Sequence, residues 1–247
     1  MIFGPWASTE YFLNWGMGFH SNDARGTTIT VDPKTNEPVQ PVNPLVRTVG
    51  YEAGLRSRLF DTLTTSLALW QLKQDSELLF VGDAGTTEPS RPSQRTGIEW
   101  LLQYVSKPWL ATDLAVAFTR ARFTDSDAAG SYIPGAPDAV VSAGVTVDNV
   151  NGWFGSLRWR YFGARPLIED NSVRSASTSL VNARVGYQIT QQFRAYLDVF
   201  NVFNSRDHDI DYFYVSRLPG EPPEGVADVH FHPVESRAFR LTMSFAY

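Results

Sequence analysis

The sequence predicts an all-β fold, an antiparallel transmembrane β-barrel segment of about ten strands. Three observations carry that expectation. Apolar and polar residues alternate with period two along most of the chain. Short and long connections between the alternating segments take turns without exception. Aromatic residues gather at the segment ends.

The segments follow in order. Over residues 10–20, Tyr11, Leu13, Trp15, Met17 and Phe19 share one face, and Glu10, Asn14, Gly16, Gly18 and His20 share the other, with Phe12 the exception. Val49, Tyr51, Ala53 and Leu55 oppose Thr48, Gly50, Glu52 and Gly54. Leu63, Leu67 and Leu69, then Ile98, Trp100, Leu102 and Tyr104, then Leu114, Val116 and Phe118 mark the apolar faces of the next three. Ala143, Val145 and Val147 mark another, followed by Trp153, Leu157, Trp159 and Tyr161. Val181, Ala183, Val185 and Tyr187 come next, then Ala195, Leu197 and Val199. The last segment alternates Phe239, Leu241, Met243, Phe245 and Tyr247 with Arg240, Thr242, Ser244 and Ala246. Trp70, Leu101, Phe154 and Phe200 fall on the polar parity.

Short connections lie near 57–62, 106–109, 148–152 and 190–192, and long ones near 21–45, 74–94, 124–138, 163–177 and 204–236. Barrels in membranes sort their loops this way; a soluble sandwich has no reason to. Trp6, Tyr11, Phe60, Trp109, Trp153, Phe193, Phe245 and Tyr247 fall at the short-turn rim, and Phe19, Phe118, Tyr161 and Phe239 near the long loops. These read as two girdles, where a ring sits half in lipid and half in water. Parity assigns Leu13, Trp15, Val116, Trp159, Val185, Leu241 and Met243 to lipid. The sheet is expected to be open or poorly closed, with edges near 11–19 and 239–247.

Composition excludes several classes. The 247 residues carry 21 Lys and Arg against 26 Asp and Glu, a net charge of −5, which speaks against a nucleic-acid partner. Cysteine is absent, so disulfide scaffolds, zinc–thiolate sites and thiol catalysis are excluded. Mean hydropathy is −0.21, and no apolar run approaches the roughly 18 residues of a membrane helix. Residues 1–6 lack a leader pattern, so the chain reads as cytoplasmic or as a piece of something longer.

Candidate chemistry is sparse. His230 and His232 have metal-ligand spacing beside Asp228 and Glu235, but the simpler reading is a solvated loop strand, and no metal or other cofactor is expected. Asp207, His208 and Asp209 lack a nucleophile, so no catalytic residue and no enzyme activity are expected. Glu52, Arg56, Glu99, Asp113, Arg158, Arg160, Arg184, Arg194 and Asp198 share the polar parity and are read as lumen-facing, able to pair across strands. In the longest loop, His208, Tyr212, Tyr214, Arg217, His230 and His232 are the candidate contacts to a small-molecule or metal-chelate ligand, offering stacking faces and polar groups.

Several segments resemble the TonB-dependent outer-membrane receptors: Gly18-Phe19-His20-Ser21-Asn22-Asp23-Ala24-Arg25-Gly26, Gly82-Asp83-Ala84-Gly85-Thr86-Thr87-Glu88-Pro89-Ser90-Arg91-Pro92-Ser93, Tyr161-Phe162-Gly163-Ala164-Arg165-Pro166-Leu167 and Leu197-Asp198-Val199-Phe200-Asn201. The ending Phe245-Ala246-Tyr247 resembles the aromatic signal read by the barrel-assembly machinery, with Phe239, Leu241 and Met243 completing it. The likeness covers residues 1–247 as one unit. It implies the C-terminal part of a 22-stranded barrel, with residues 4–10 as a periplasmic turn, residues 1–3 as the tail of a preceding strand and the plug absent. It also implies a Gram-negative outer-membrane location with lipid as a partner, energised uptake of a scarce nutrient such as a ferric siderophore, and contact with the TonB complex only through the missing plug. On that reading the chain alone does not transport. Two other readings compete: a complete ten-stranded outer-membrane barrel enzyme of the omptin kind, and a soluble β-sandwich binding module.

Overall fold

Alternation with period two gives each segment one apolar and one polar face, and backbone N–H and C=O groups that must pair sideways. In the computed structural model, which describes residues 1–22, 24–31, 36–76, 78–81, 86–89 and 91–246, they pair into one antiparallel sheet. Its strands are β1 (Ile2–Trp6), β2 (Thr9–Ser21), β3 (Leu45–Leu59), β4 (Leu63–Gln74), β7 (Ser93–Lys107), β8 (Leu110–Phe123), β9 (Ala139–Val150), β10 (Trp153–Phe162), β11 (Thr178–Gln188), β12 (Phe193–Phe200) and β15 (Ala238–Phe245). They stand side by side in chain order, eleven in all. Two hairpins, β5 (Leu78–Val81) with β6 (Thr86–Pro89) and β13 (His208–Ser216) with β14 (Val226–Pro233), lie within long connections. A helix, α1 (Ala24–Thr28), lies in the first long connection.

The short connections are as tight as the alternation requires. Val150 pairs with Trp153 around Asn151-Gly152, whose φ angles of 52° and 86° are those of a type I′ turn, the turn whose twist matches the flanking strands. Trp6 pairs with Thr9 around Ala7-Ser8, both at positive φ. This turn is shorter than the 4–10 segment expected, because β1 extends to Trp6. Ile2 and Phe3 belong to a strand, and that strand raises the count from about ten to eleven.

Among the described residues no ladder joins β1 to β15, so the sheet is open. The first edge is β1, which covers only the start of β2; from Asn14 onward β2 is itself the edge. The other edge is β15. Among the described residues no second sheet covers the apolar face. Trp15 is 63% exposed, Leu241 64% and Met243 66%; Leu13, Trp159 and Val185 are exposed too, and Val116 is half-buried. Leaving a large apolar side chain in water forgoes about 1.5–3 kcal/mol each, so this face demands an apolar medium. A sandwich would have buried it, and that reading fails here.

The polar-parity aromatics have a steric explanation. Phe12 sits directly opposite Gly54, Trp70 opposite Gly97 and Phe154 opposite Gly186. A Cβ on Gly97 would come within 2.6 Å of the Trp70 ring, and one on Gly186 within 2.6 Å of Tyr196 as well as against Phe154. Each ring lies across the neighbouring backbone where a side chain is missing, the arrangement that protects glycine in a strand. Charged pairs use the same device: Asp113 on β8 reaches Arg158 on β10 across β9 above Gly144, at 2.9 and 3.1 Å.

Candidate functional site

The polar face carries ordered rungs of charge. Glu10 binds Arg56 at 2.5 Å, and Asn14 donates to Glu52 at 2.8 Å. Arg184, Asp198 and Arg240 occupy one rung of β11, β12 and β15. Asp198, its side chain 7% exposed, accepts from Arg184 at 2.6 and 3.2 Å and from Arg240 at 2.9 and 3.2 Å. Arg184 lies 4.3 Å over the Tyr196 ring and Arg240 4.9 Å over Phe200, which accounts for one more misplaced aromatic. Glu99, Arg160 and Arg194 have the same parity on β7, β10 and β12.

The long-loop end is where the chain packs most tightly. Ile133 is 1% exposed and packs with Ala121 and Phe123 of β8, and Pro166 and Leu167 are buried in the next long loop. Residues 124–138 and 163–177 are stitched by backbone bonds from Tyr132 to Glu169 (2.9 Å) and from Gly135 to Pro166 (2.8 Å). Arg91 clamps both: it meets Asp125 at 3.0 Å, Asp127 and Glu169 at 3.5 Å each and the Gly130 carbonyl at 2.5 Å, lying over Phe123. The backbone N–H of Ser172 donates to Asp170 and holds its carboxyl below the usual range.

Hairpin β13–β14 stands on this platform. Asp211, its side chain fully buried, pairs with Arg165 at 3.2 Å and with His208 Nδ1 at 2.5 Å. The hydroxyl of Thr178 donates to the His208 carbonyl and the N–H of Ser179 to Asp207. Asn201, at the end of β12, closes the base by donating to the carbonyls of Ser205 and Glu235, 2.9 Å each.

The six candidate ligand contacts separate. Register sets Tyr212 opposite His230, Ile210 opposite His232 and Tyr214 opposite Asp228, so Tyr212, Tyr214, His230 and His232 share one face. Tyr214 stacks on His230 at 3.9 Å and 12°. His208 is on the other face, because the register shifts by a residue between His208 and Ile210; there it stacks on Phe231 at 3.6 Å. Arg217 is near the tip, donating to the Glu221 carbonyl at 3.2 Å. Among the described residues no three of His, Cys, Asp and Glu converge as a metal site. Arg91, Arg165, Asp211 and Asn201 were not singled out from the sequence as rim residues. The signal for the hairpin was present: alternation over 208–216 and 226–233, separated by a stretch rich in Pro and Gly. Tyr247, Asp23, Ser90 and residues 82–85 lie outside the described residues. Phe239, Leu241, Met243 and Phe245 are exposed on one face of β15.

Comparison with known proteins agrees with this architecture. The family model described as "TonB dependent receptor-like, beta-barrel" matches residues 3–202. Among solved structures, the chain is similar to the ferric-catecholate import receptor Fiu of Escherichia coli K12 in its closed form (17% identity, TM-score 0.70, covering 99% of this chain and 34% of that one). It is similar to the ferric yersiniabactin uptake receptor FyuA of Yersinia pestis (17%, TM-score 0.70, 96% and 35%). It is also similar to the copper transporter OprC (18%, TM-score 0.71, 98% and 38%). At these identities the likeness concerns the fold, and the chain spans about a third of the length of those proteins.

Proposed function

We propose a function from an established premise: the chain belongs to the family of TonB-dependent receptor-like β-barrels. It forms the C-terminal part of a receptor barrel in the outer membrane of a Gram-negative bacterium. The receptor takes up a scarce nutrient such as a ferric siderophore. The observation that carries this reading is the open sheet, eleven strands in hairpin order and about a third of the length of the similar receptors. Unpaired edges are supplied with partners in a finished barrel, and here the partners are strands outside the 247 residues.

Transport is then a property of the whole receptor, with TonB coupling supplied by a plug outside this sequence. The outward face meets lipid. Glu52, Glu99, Asp113, Arg158, Arg160, Arg184 and Asp198 line the lumen, and Phe239, Leu241, Met243, Phe245 and Tyr247 are read by the barrel-assembly machinery. Ligand contact falls to the β13–β14 face bearing Tyr212, Tyr214, His230 and His232, with Arg217 near its tip; His208 positions the hairpin through Asp211. Aromatic faces and imidazoles suit a flat metal chelate.

The test uses the full-length receptor in intact cells. Deleting residues 212–233 is expected to weaken uptake of a ferric siderophore while surface labelling shows normal insertion. Unchanged uptake kinetics would remove the hairpin from the binding site. Activity in a full-length protein with no upstream barrel or plug would refute the receptor-fragment reading.

A further inference from the structure

On β4, β7 and β8 the outward parity changes character at one level. Leu69, Ile98 and Phe118 form one rung. The next rung toward the long loops is Gln71, Thr96 and Arg120, and the one after is Lys73, Gln94 and Arg122. Successive residues on one face are about 7 Å apart, so this polar zone starts one step above the apolar band. Its cations lack the carboxylates that the polar face supplies. Every acid of β3, β4, β7 and β8, namely Glu52, Glu99 and Asp113, has the opposite parity. Among the described residues none of Lys73, Arg120 and Arg122 has an ion pair; Arg122 stacks 3.7 Å from the Tyr132 ring, which holds it in place without neutralising it. Among the described residues Asp75, past the end of β4, makes no ion pair either. Gln94, Thr96, Arg120 and Arg122 line an open depression with Phe123 and Thr124.

We propose that this outward zone binds the phosphate groups of membrane lipids, with Lys73, Arg120 and Arg122 as the cations and Gln71, Gln94 and Thr96 as the polar contacts between them. The inference rests on the apolar face being embedded in lipid. Given that, the zone falls at head-group depth, where a cluster of unpaired cations attracts anionic lipid and a guanidinium matches phosphate oxygens in pairs. Charge complementarity selects a phosphomonoester head group over a zwitterionic one.

The experiment places the full-length receptor in phosphatidylcholine vesicles and follows tryptophan fluorescence. Brominated phosphatidylcholine must quench it; no quenching by any brominated lipid would refute embedding itself, separately from the head-group claim. Replacing a small fraction of the lipid by brominated phosphatidic acid is expected to quench beyond its share, with about tenfold enrichment at low salt that falls as salt rises. K73Q/R120Q/R122Q is expected to bring enrichment to about one, and R120Q alone to lower it about threefold, while R160Q/R194Q on the other face leaves it unchanged. Equal quenching by both lipids, or equal enrichment in the triple variant, would overturn the proposal. Competition by inorganic phosphate at low millimolar concentration would overturn the lipid assignment in favour of free phosphate.

Discussion

Replacing Asp198 by alanine leaves Arg184 and Arg240 facing each other across β12 with nothing between them. The four bonds lost measure 2.6, 2.9, 3.2 and 3.2 Å. Removing one partner from a buried ion pair costs about 3–5 kcal/mol, because the remaining charge keeps its desolvation without its compensation. The arginine side chains are 39% and 60% exposed, so solvent screening lowers that figure to about 2–3 kcal/mol. Direct repulsion between two guanidinium groups about 6 Å apart, at an effective dielectric of roughly 40, is about 1 kcal/mol of it. Urea unfolding of the full-length receptor in detergent, followed by fluorescence and extrapolated linearly, reads the difference. Arg240→Ala alone is expected to cost under about 1 kcal/mol, since Arg184 still neutralises Asp198. In the Asp198→Ala background the same change is expected to stabilise by about 1 kcal/mol, because it relieves the repulsion, giving a coupling of at least about 1 kcal/mol. A loss below about 0.5 kcal/mol for Asp198→Ala, or strict additivity of the two changes, would refute the view that this rung is one electrostatic unit.

Other outcomes follow from the same geometry. Gly97→Val forces Trp70 off the β7 backbone and is expected to cost about 1–3 kcal/mol by overpacking, read by the same unfolding; a neutral effect would show that the ring does not need the glycine. Asp211→Asn weakens the tie of β13–β14 to Arg165, so limited proteolysis is expected to cut within 204–236 faster with the barrel intact, and unchanged cleavage would discount the anchor. Phe245→Asp places a charge on the outward face of the last strand, where up to about 2–4 kcal/mol is lost at the midplane and less near the interface; surface labelling of the receptor is expected to fall, and normal insertion would count against the terminal signal.

The sheet was legible because its determinants are local. Asn151-Gly152 fixes a turn by its own φ preferences, and alternation such as Leu114, Val116 and Phe118 needs no distant partner to be read. The rim was less legible because its determinants are not local. Arg165 meets Asp211 46 residues away, and Arg91 meets Glu169 78 residues away. The separation of His208 from the other candidate contacts depends on one bulge, which changes every facing assignment beyond it and leaves no mark on composition. Trp70 and Phe154 broke the pattern in the sequence for a reason visible only in register, the glycines opposite them.

The distribution of packing bears on how such a receptor would meet its ligand. The buried side chains Ile133, Phe123, Pro166 and Leu167 gather at the long-loop ends of β8 to β11, away from both open edges. Hairpin β13–β14 is tied to that region by the Arg165–Asp211–His208 chain, and its base by Asn201. A surface held this way is ordered before any ligand arrives, so little ordering entropy opposes binding. Loosening the tie then has a specific consequence: affinity falls although no contact residue has changed. Asp211→Asn is therefore expected to raise the concentration for half-maximal uptake while surface abundance stays constant. Loss of the stacking groups themselves, as in Tyr214→Ala, would do the same without the accompanying rise in proteolysis. A weaker affinity with unchanged proteolysis in Asp211→Asn would mean that the carboxylate acts on the ligand directly and not through the fold.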